Sequence, residues 1–123
     1  MMISKKNVQH YIWGDNCDGW RLIDEEDRCI IHERMPVGAS EVRHFHSKAK
    51  QFFFILSGTM TIELDGTVYN LEEHEGIEVK PILPLQVYNK SYRDLEFLVI
   101  SQPNTRNDRE LVESNFEGNS KKW

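Results

Sequence analysis

Short runs in which hydrophobic and polar residues alternate dominate the chain from Trp20 to Ser101. The runs are rich in Val, Ile, Phe and Tyr. Turn residues separate them at intervals of about 8–12 residues, which is typical of β-sandwiches and β-barrels. No sustained helical periodicity interrupts this stretch. The pattern therefore predicts an all-β domain with strands near residues 20–24, 28–35, 42–46, 51–57, 59–65, 67–71, 76–79, 85–90 and 95–101.

Two of these runs carry more specific information. Asp65-Gly66 lies between two alternating segments, and this dipeptide favours the positive φ angles of a type I′ hairpin turn. The apolar face of the first hairpin strand consists of Met60, Ile62 and Leu64.

The run at residues 51–56 is apolar on both faces, and such a strand must be covered on both faces. One face can fill a barrel interior. The other face needs a cover, which could be the N-terminal segment with its aromatic residues or a second subunit. We therefore predict a homodimer. The outer face carries Phe52, Phe54 and Leu56, and the N-terminal aromatics are Tyr11, Trp13 and Trp20.

After Pro103 the composition becomes polar, with one helix-compatible piece around residues 108–113. We therefore divide the chain into a barrel domain, residues 1–103, that includes N-terminal strands, and a C-terminal tail, residues 104–123, that is irregular or holds a short helix. A length of 123 residues fits one domain.

Composition excludes several classes of function. Hydrophobic residues make up 39% and charged residues 28%, an ordinary globular balance. The net charge is −5 and the basic residues are scattered, which argues against nucleic-acid binding. No apolar run is long enough to span a membrane, and no signal-peptide pattern follows Met1, so we expect a cytoplasmic protein.

The two cysteines have no CxxC spacing, so we predict free thiols. Cys29 lies in an apolar alternation and should be a small core residue. Cys17 lies in a turn-like segment and is expected to be exposed.

The candidate chemistry is at His44 and His46. Side chains two residues apart on a strand leave the same face about 6.6 Å apart, so two imidazoles can converge on one ion or ligand. Gln51, on the next strand, has the phase to point the same way. A His-x-His pair by itself is weak evidence, because such pairs are more often exposed or simply packed.

The wider spacing is more specific. Residues 38–58 resemble the first signature of the cupin superfamily, G-x5-H-x-H-x4-E-x6-G, with Gln51 in place of Glu. Residues 76–89 resemble a compact second signature, but Ile82 replaces a glycine and Leu85 replaces the third histidine. The resemblance implies a cupin-type double-stranded β-helix, a jelly-roll barrel closed around a pocket. The implied pocket lining is His44, His46, Gln51, Phe53, Leu85 and Phe97.

The resemblance also implies a divalent metal such as iron, manganese, nickel or zinc, with His44, His46 and Gln51 as its ligands here. Two losses from the usual set of three His and one Glu predict that the ion is bound weakly or not at all. Glu33 or Cys29 on a neighbouring strand could supply a replacement ligand.

Four further residues are candidates by type only: Glu41, His10, His32 and His74. His32 should face outward if Ile31 and Glu33 face in, and His74 lies in a charged, solvated turn.

The first predicted function is that of a binding protein for a small polar molecule. The alternatives are a metal-dependent oxygenase or isomerase using His44, His46 and Gln51, a metal-free isomerase using a histidine as acid and base, and a structural protein whose former site has decayed. The sequence assigns no catalytic residue.

Overall fold

The computed structural model describes residues 1–113, which form eleven strands in two antiparallel sheets. The strands are β1 Gln9–Trp13, β2 Cys17–Glu25, β3 Arg28–Met35, β4 His44–His46, β5 Lys50–Ser57, β6 Met60–Leu64, β7 Thr67–Leu71, β8 Gly76–Val79, β9 Leu85–Tyr88, β10 Leu95–Gln102 and β11 Arg109–Leu111. One sheet has the order β1-β2-β3-β10-β5-β8 and the other β11-β4-β9-β6-β7. The all-β prediction is confirmed.

Two strands lie outside the runs assigned from the pattern. β1 is one of the N-terminal strands expected in the barrel domain but had no assigned range, and β11 is only three residues long with a polar composition. Residues 108–113, compatible with a short helix by sequence, contain β11 instead, because Arg109 and Leu111 pair with His46 and His44 of β4. Pairing with a distant strand overrides a weak local preference for helix. Residues 114–123 of the predicted tail lie outside the described residues.

The core lies between the two sheets, on the inner faces set by strict alternation. In β10, Leu95, Phe97 and Val99 are at most 5% exposed, whereas the residues between them are half-buried. Side chains of a strand alternate between faces, so this pattern places one face of β10 in the barrel interior. One apolar cluster fills the interior, and it includes Met35, Ile55, Met60, Ile62, Leu85 and Val87.

The hairpin between β6 and β7 has the predicted geometry. Leu64 pairs with Thr67 across a two-residue turn, and Asp65 and Gly66 have φ angles of 48° and 93°. Met60 and Ile62 are fully buried and Leu64 is half-buried.

The outer face of β5 remains partly uncovered. Phe52 is 38% exposed and stacks on Phe54. The N-terminal segment is not its cover: Tyr11 and Trp13 pack against the interior cluster, and Trp20 packs against His10 and His32. The reason is topological, since three strands separate β1 from β5. The homodimer through this face stays a prediction, which sedimentation velocity can test.

Both thiols are free and buried. Cys29 belongs to the core as predicted, but the expected exposure of Cys17 is wrong. Cys17 is the first residue of β2, points inward and is 0% exposed. Burial, followed by the negative charge of Glu33, raises the pKa of the Cys17 thiol to about 12, so it is unreactive at neutral pH.

Ile82, where the resembling signature has glycine, has a φ of 67°. This left-handed conformation costs a side chain with a Cβ about 1–2 kcal/mol. Because the side chain is 66% exposed, glycine would lose little packing. We expect Ile82→Gly to raise the free energy of unfolding by about 1 kcal/mol, measured by urea denaturation. Val37→Gly, at a 55% exposed position outside the left-handed region, should instead lower it.

Candidate functional site

A cavity of about 280 Å³ opens at one end of the interior. Four of the six predicted pocket residues line it: His44, His46, Gln51 and Phe53. Leu85 and Phe97 are not among its lining residues. They belong to the apolar cluster and are 0% and 1% exposed. The cavity therefore has a polar wall and rests on an apolar core.

The two imidazoles leave β4 on the same face and are 4% and 6% exposed. Their ring centroids are 5.0 Å apart with an interplanar angle of 81°. His44 Nδ1 lies 2.8 Å from the Val42 carbonyl oxygen, and His46 Nδ1 lies 2.8 Å from that of Asp108. A carbonyl only accepts, so each Nδ1 carries the proton and donates it. Each Nε2 is consequently a hydrogen-bond acceptor.

Both rings are neutral at pH 7. Burial, followed by the positive charge of Arg109, lowers the pKa of His44 to about 4. Burial and the neighbouring His44 also lower the pKa of His46. Arg109 Nη2 also lies 3.5 Å from His44 Nδ1. That distance is at the limit of hydrogen bonding, so the shorter bond to Val42 decides the tautomer.

Asp108 fixes the loop that follows His46. Its carboxylate accepts hydrogen bonds from the backbone amides of Ser47 at 3.0 Å, Lys48 at 3.1 Å and Ala49 at 2.9 Å. Burial alone would raise the pKa of Asp108, but these amides outweigh that effect and lower it. Its carbonyl orients the His46 ring, so one residue holds both the loop and the imidazole.

Gln51 has an orphaned amide oxygen. Its Nε2 donates to Ser101 Oγ at 3.1 Å. Oε1 is buried and has no hydrogen-bond partner within residues 1–113. Leaving such an acceptor unpaired costs about 1–3 kcal/mol. This atom is therefore positioned for a donor that comes from outside the chain.

Two carboxyl groups face the same cavity. Glu33, on β3, was predicted only as a replacement metal ligand, and Glu41 only as a candidate by type. Burial, followed by the charge of Glu41, raises the pKa of Glu33 to about 8. Burial also raises the pKa of Glu41 to about 7, against the opposing effects of Arg109 and the Val87 amide. Both groups therefore titrate near neutral pH.

Two arginines and two aromatic residues line the cavity although the sequence pattern did not predict them there. Arg21 lies over the Tyr11 ring, with its guanidinium carbon 4.4 Å from the centroid, and Trp13 lies beside them on β1. Arg109 lies on β11, in the segment expected to be a tail. The two-residue spacing of Tyr11 and Trp13 was the available signal that both share one face of a strand.

The remaining histidines lie outside the cavity. His10 pairs with Asp18 and His32 with Glu96, each with 2.7 Å between Nε2 and a carboxylate oxygen. His32 faces outward, as predicted, while Ile31 and Glu33 line the cavity. His74 stacks on Phe54 at the outer face of β5.

A family model for the cupin domain matches residues 31–101, more than half of the chain. The chain belongs to the cupin family. Glycines at the two ends of the first cupin signature have the expected conformations, with φ angles of 82° at Gly38 and 87° at Gly58. A Cβ at position 58 would lie 2.6 Å from the Asp94 carbonyl oxygen, so this position also requires glycine.

Solved structures share the architecture of this cupin at low sequence identity. A predicted oxalate decarboxylase from Thermotoga maritima is 16% identical with a TM-score of 0.77, and the alignment covers 84% of this chain and 99% of that chain. The polyketide cyclase RemF from Streptomyces resistomycificus is 18% identical with a TM-score of 0.76, covering 98% and 88%. Pac13, a nucleoside dehydratase of Streptomyces, is 12% identical with a TM-score of 0.78, covering 98% and 97%.

These likenesses show the cupin fold and no particular activity. No curated protein matches the sequence significantly. In the described part of this cupin, no helix has the length and apolar character needed to cross a bilayer.

Cupins commonly bind a divalent metal, but the donor set here does not fit the usual ion. Within residues 1–113, no three His, Cys, Asp or Glu side chains form a group that could hold a metal. Glu33 and Cys29 therefore do not complete a site with the two histidines. Leu85, on β9, pairs with His44 of β4 and offers only hydrocarbon where the third imidazole would be. Two imidazoles and one neutral amide lack the charge and number of ligands of the family's centre.

Proposed function

We propose that this cupin binds a small polar molecule in its cavity through three neutral hydrogen-bond acceptors. The acceptors are Nε2 of His44, Nε2 of His46 and Oε1 of Gln51. The observation that carries the proposal is the buried, unpartnered Oε1 of Gln51 on the wall that also holds both imidazoles.

The chemistry of these atoms defines what they select. None of these three atoms can donate, because each imidazole carries its proton on Nδ1 and Gln51 Oε1 is a carbonyl oxygen. A ligand must therefore bring the donors, as a hydroxyl or an N–H group. The aromatic rings of Tyr11, Trp13 and Phe53 supply apolar surface around the polar wall. A small polyol fits this cavity, because its hydroxyl groups can donate to the polar wall and its carbon chain can contact the aromatic rings.

A second candidate function is an isomerase that works by proton transfer without a metal. Glu33 and Glu41 favour it, since carboxyl groups that titrate near the operating pH are effective acids and bases. Glu33 reaches the cavity from β3, and Glu41 reaches it from the segment that precedes β4. The metal-dependent oxygenase or isomerase has less support, because the ligand set described above is incomplete.

The binding proposal predicts a specific effect of Gln51→Met. Methionine keeps the side-chain length but removes the acceptor, so we expect the affinity for sorbitol to fall at least about tenfold. Isothermal titration calorimetry at pH 7 measures this affinity. The matched control is Gln102→Met, at an exposed position that does not line the cavity, and it should leave the affinity unchanged.

Two results would contradict the proposal. One is equal sorbitol affinity in Gln51→Met and the wild type. The other is the absence of a binding heat from the wild type with both sorbitol and its carboxylate counterpart, gluconate.

A further inference from the structure

The cavity holds two guanidinium groups that act to lower the pKa of its carboxyl groups but form no close ion pair with them. Arg21 and Arg109 line it together with Glu33 and Glu41, yet no ion pair within 4.0 Å joins any of these four residues in the described part of the chain. Other arginines of the chain do pair, such as Arg43 with Glu63 at 2.7 Å. Among the arginines of residues 1–113, the two in the cavity are therefore the exceptions.

Within residues 1–113, these arginines use few of their donors. Arg109 makes hydrogen-bond contacts of 3.5 Å there, to the Val42 carbonyl and to His44 Nδ1. Arg21 lies over the Tyr11 ring, with its guanidinium carbon 4.4 Å from the centroid, and its guanidinium forms no hydrogen bond within the described residues. A guanidinium stays charged at any physiological pH and matches a carboxylate in a two-pronged geometry.

The two arginines come from opposite sheets, Arg21 from β2 and Arg109 from β11. Arg109 contacts His44, so an anion bound by Arg109 would lie beside the wall of neutral acceptors. The cavity thus places cationic donors next to neutral acceptors, with orphaned Gln51 Oε1 as an independent indication of a missing ligand.

We propose that the ligand of this cavity is a small hydroxy acid, whose carboxylate binds Arg109 and Arg21 and whose hydroxyl groups donate to His44, His46 and Gln51. This inference rests on the proposed binding function and adds the class of ligand. A carboxylate with one negative charge suits the site better than a phosphate dianion, because Glu41, whose pKa is about 7, faces the same space and its ionised form would repel the second charge.

The size of the cavity agrees with a small ligand. About 280 Å³ lies just below the range of about 300–1,000 Å³ for drug-sized molecules.

Gluconate and sorbitol provide matched probes, since they share a six-carbon polyhydroxy chain and differ by a carboxylate at one end. We expect the wild type to bind gluconate at least about tenfold more tightly than sorbitol in calorimetry at pH 7, because the acid adds charge-assisted hydrogen bonds. In Arg109→Gln this preference should fall to about threefold or less. Arg28→Gln removes an exposed arginine that pairs with Glu25 outside the cavity, and it should retain the full preference.

The outcomes separate this inference from the binding function. Equal affinity for gluconate and sorbitol would overturn the hydroxy-acid assignment and leave the polyol site standing. An unchanged preference in both Arg109→Gln and Arg21→Gln would also overturn it. If glucose 6-phosphate bound more tightly than gluconate, the ligand class would be a phosphate ester and not a carboxylate. The absence of binding by all three probes would reject the binding function itself.

Discussion

Replacing Glu33 by glutamine should make the protein more stable than the wild type by about 2 kcal/mol at pH 9 and leave its stability at pH 4 nearly unchanged. The folded protein holds the Glu33 proton up to a pKa of about 8, whereas the group has an ordinary pKa of 4.5. Between these values the folded state binds more protons than the unfolded state, so wild-type stability falls as the pH rises. Glutamine has no proton to lose and removes this slope.

The size of the effect follows from the pKa difference. Each unit corresponds to about 1.4 kcal/mol, and partial exposure of Glu33 to water in the cavity reduces the full value. Urea unfolding at pH 4, 7 and 9 measures the difference. The control is Glu78→Gln, which changes an exposed carboxylate on β8 and should not alter the pH dependence. Parallel curves for Glu33→Gln and the wild type would show that Glu33 is ionised in the folded protein at neutral pH.

Asp108→Ala should lower the free energy of unfolding by about 3 kcal/mol. The carboxylate accepts from three consecutive backbone amides, and hydrogen bonds to a charged group contribute about 1.5–3 kcal/mol each. In the variant, water can replace the carboxylate at the amides of Ser47 and Lys48, because both residues are exposed, and this recovers part of the loss. The amide of the buried Ala49 has no such replacement. Urea denaturation at pH 7 gives the size of the loss.

The same substitution keeps the backbone carbonyl that accepts from His46 Nδ1–H. Nitrogen-15 NMR of the imidazoles should therefore show His44 and His46 as Nδ1–H tautomers in both the wild type and Asp108→Ala, so the stability loss reports on the carboxylate alone. Asp94→Ala provides the control, because Asp94 is half exposed and pairs with Arg34 at the surface. Asp94→Ala should lower the free energy of unfolding by less than about 1 kcal/mol. A loss of that small size in Asp108→Ala would mean that the loop after His46 does not depend on the carboxylate.

Much of the architecture was readable from short apolar or alternating runs and the turn residues between them. Inward residues of β5 and β10 follow a strict period of two, and the Asp65-Gly66 turn sets the register of β6 and β7. The same period puts His44 and His46 on one face. These features are local: each depends on neighbours within a strand or across one turn, so the residues themselves specify them.

The rest of the cavity wall was not readable in this way. Tyr11, Trp13 and Arg21 reach it from the far edge of one sheet, and Arg109 reaches it from the far edge of the other. The sequence around each of these residues does not specify which strands it will lie beside. His46 and Arg109 are far apart in the chain, and their pairing depends on the closure of the whole barrel. Alternation shows which side of a strand is buried, while the charges and donors that meet in the interior follow from long-range packing.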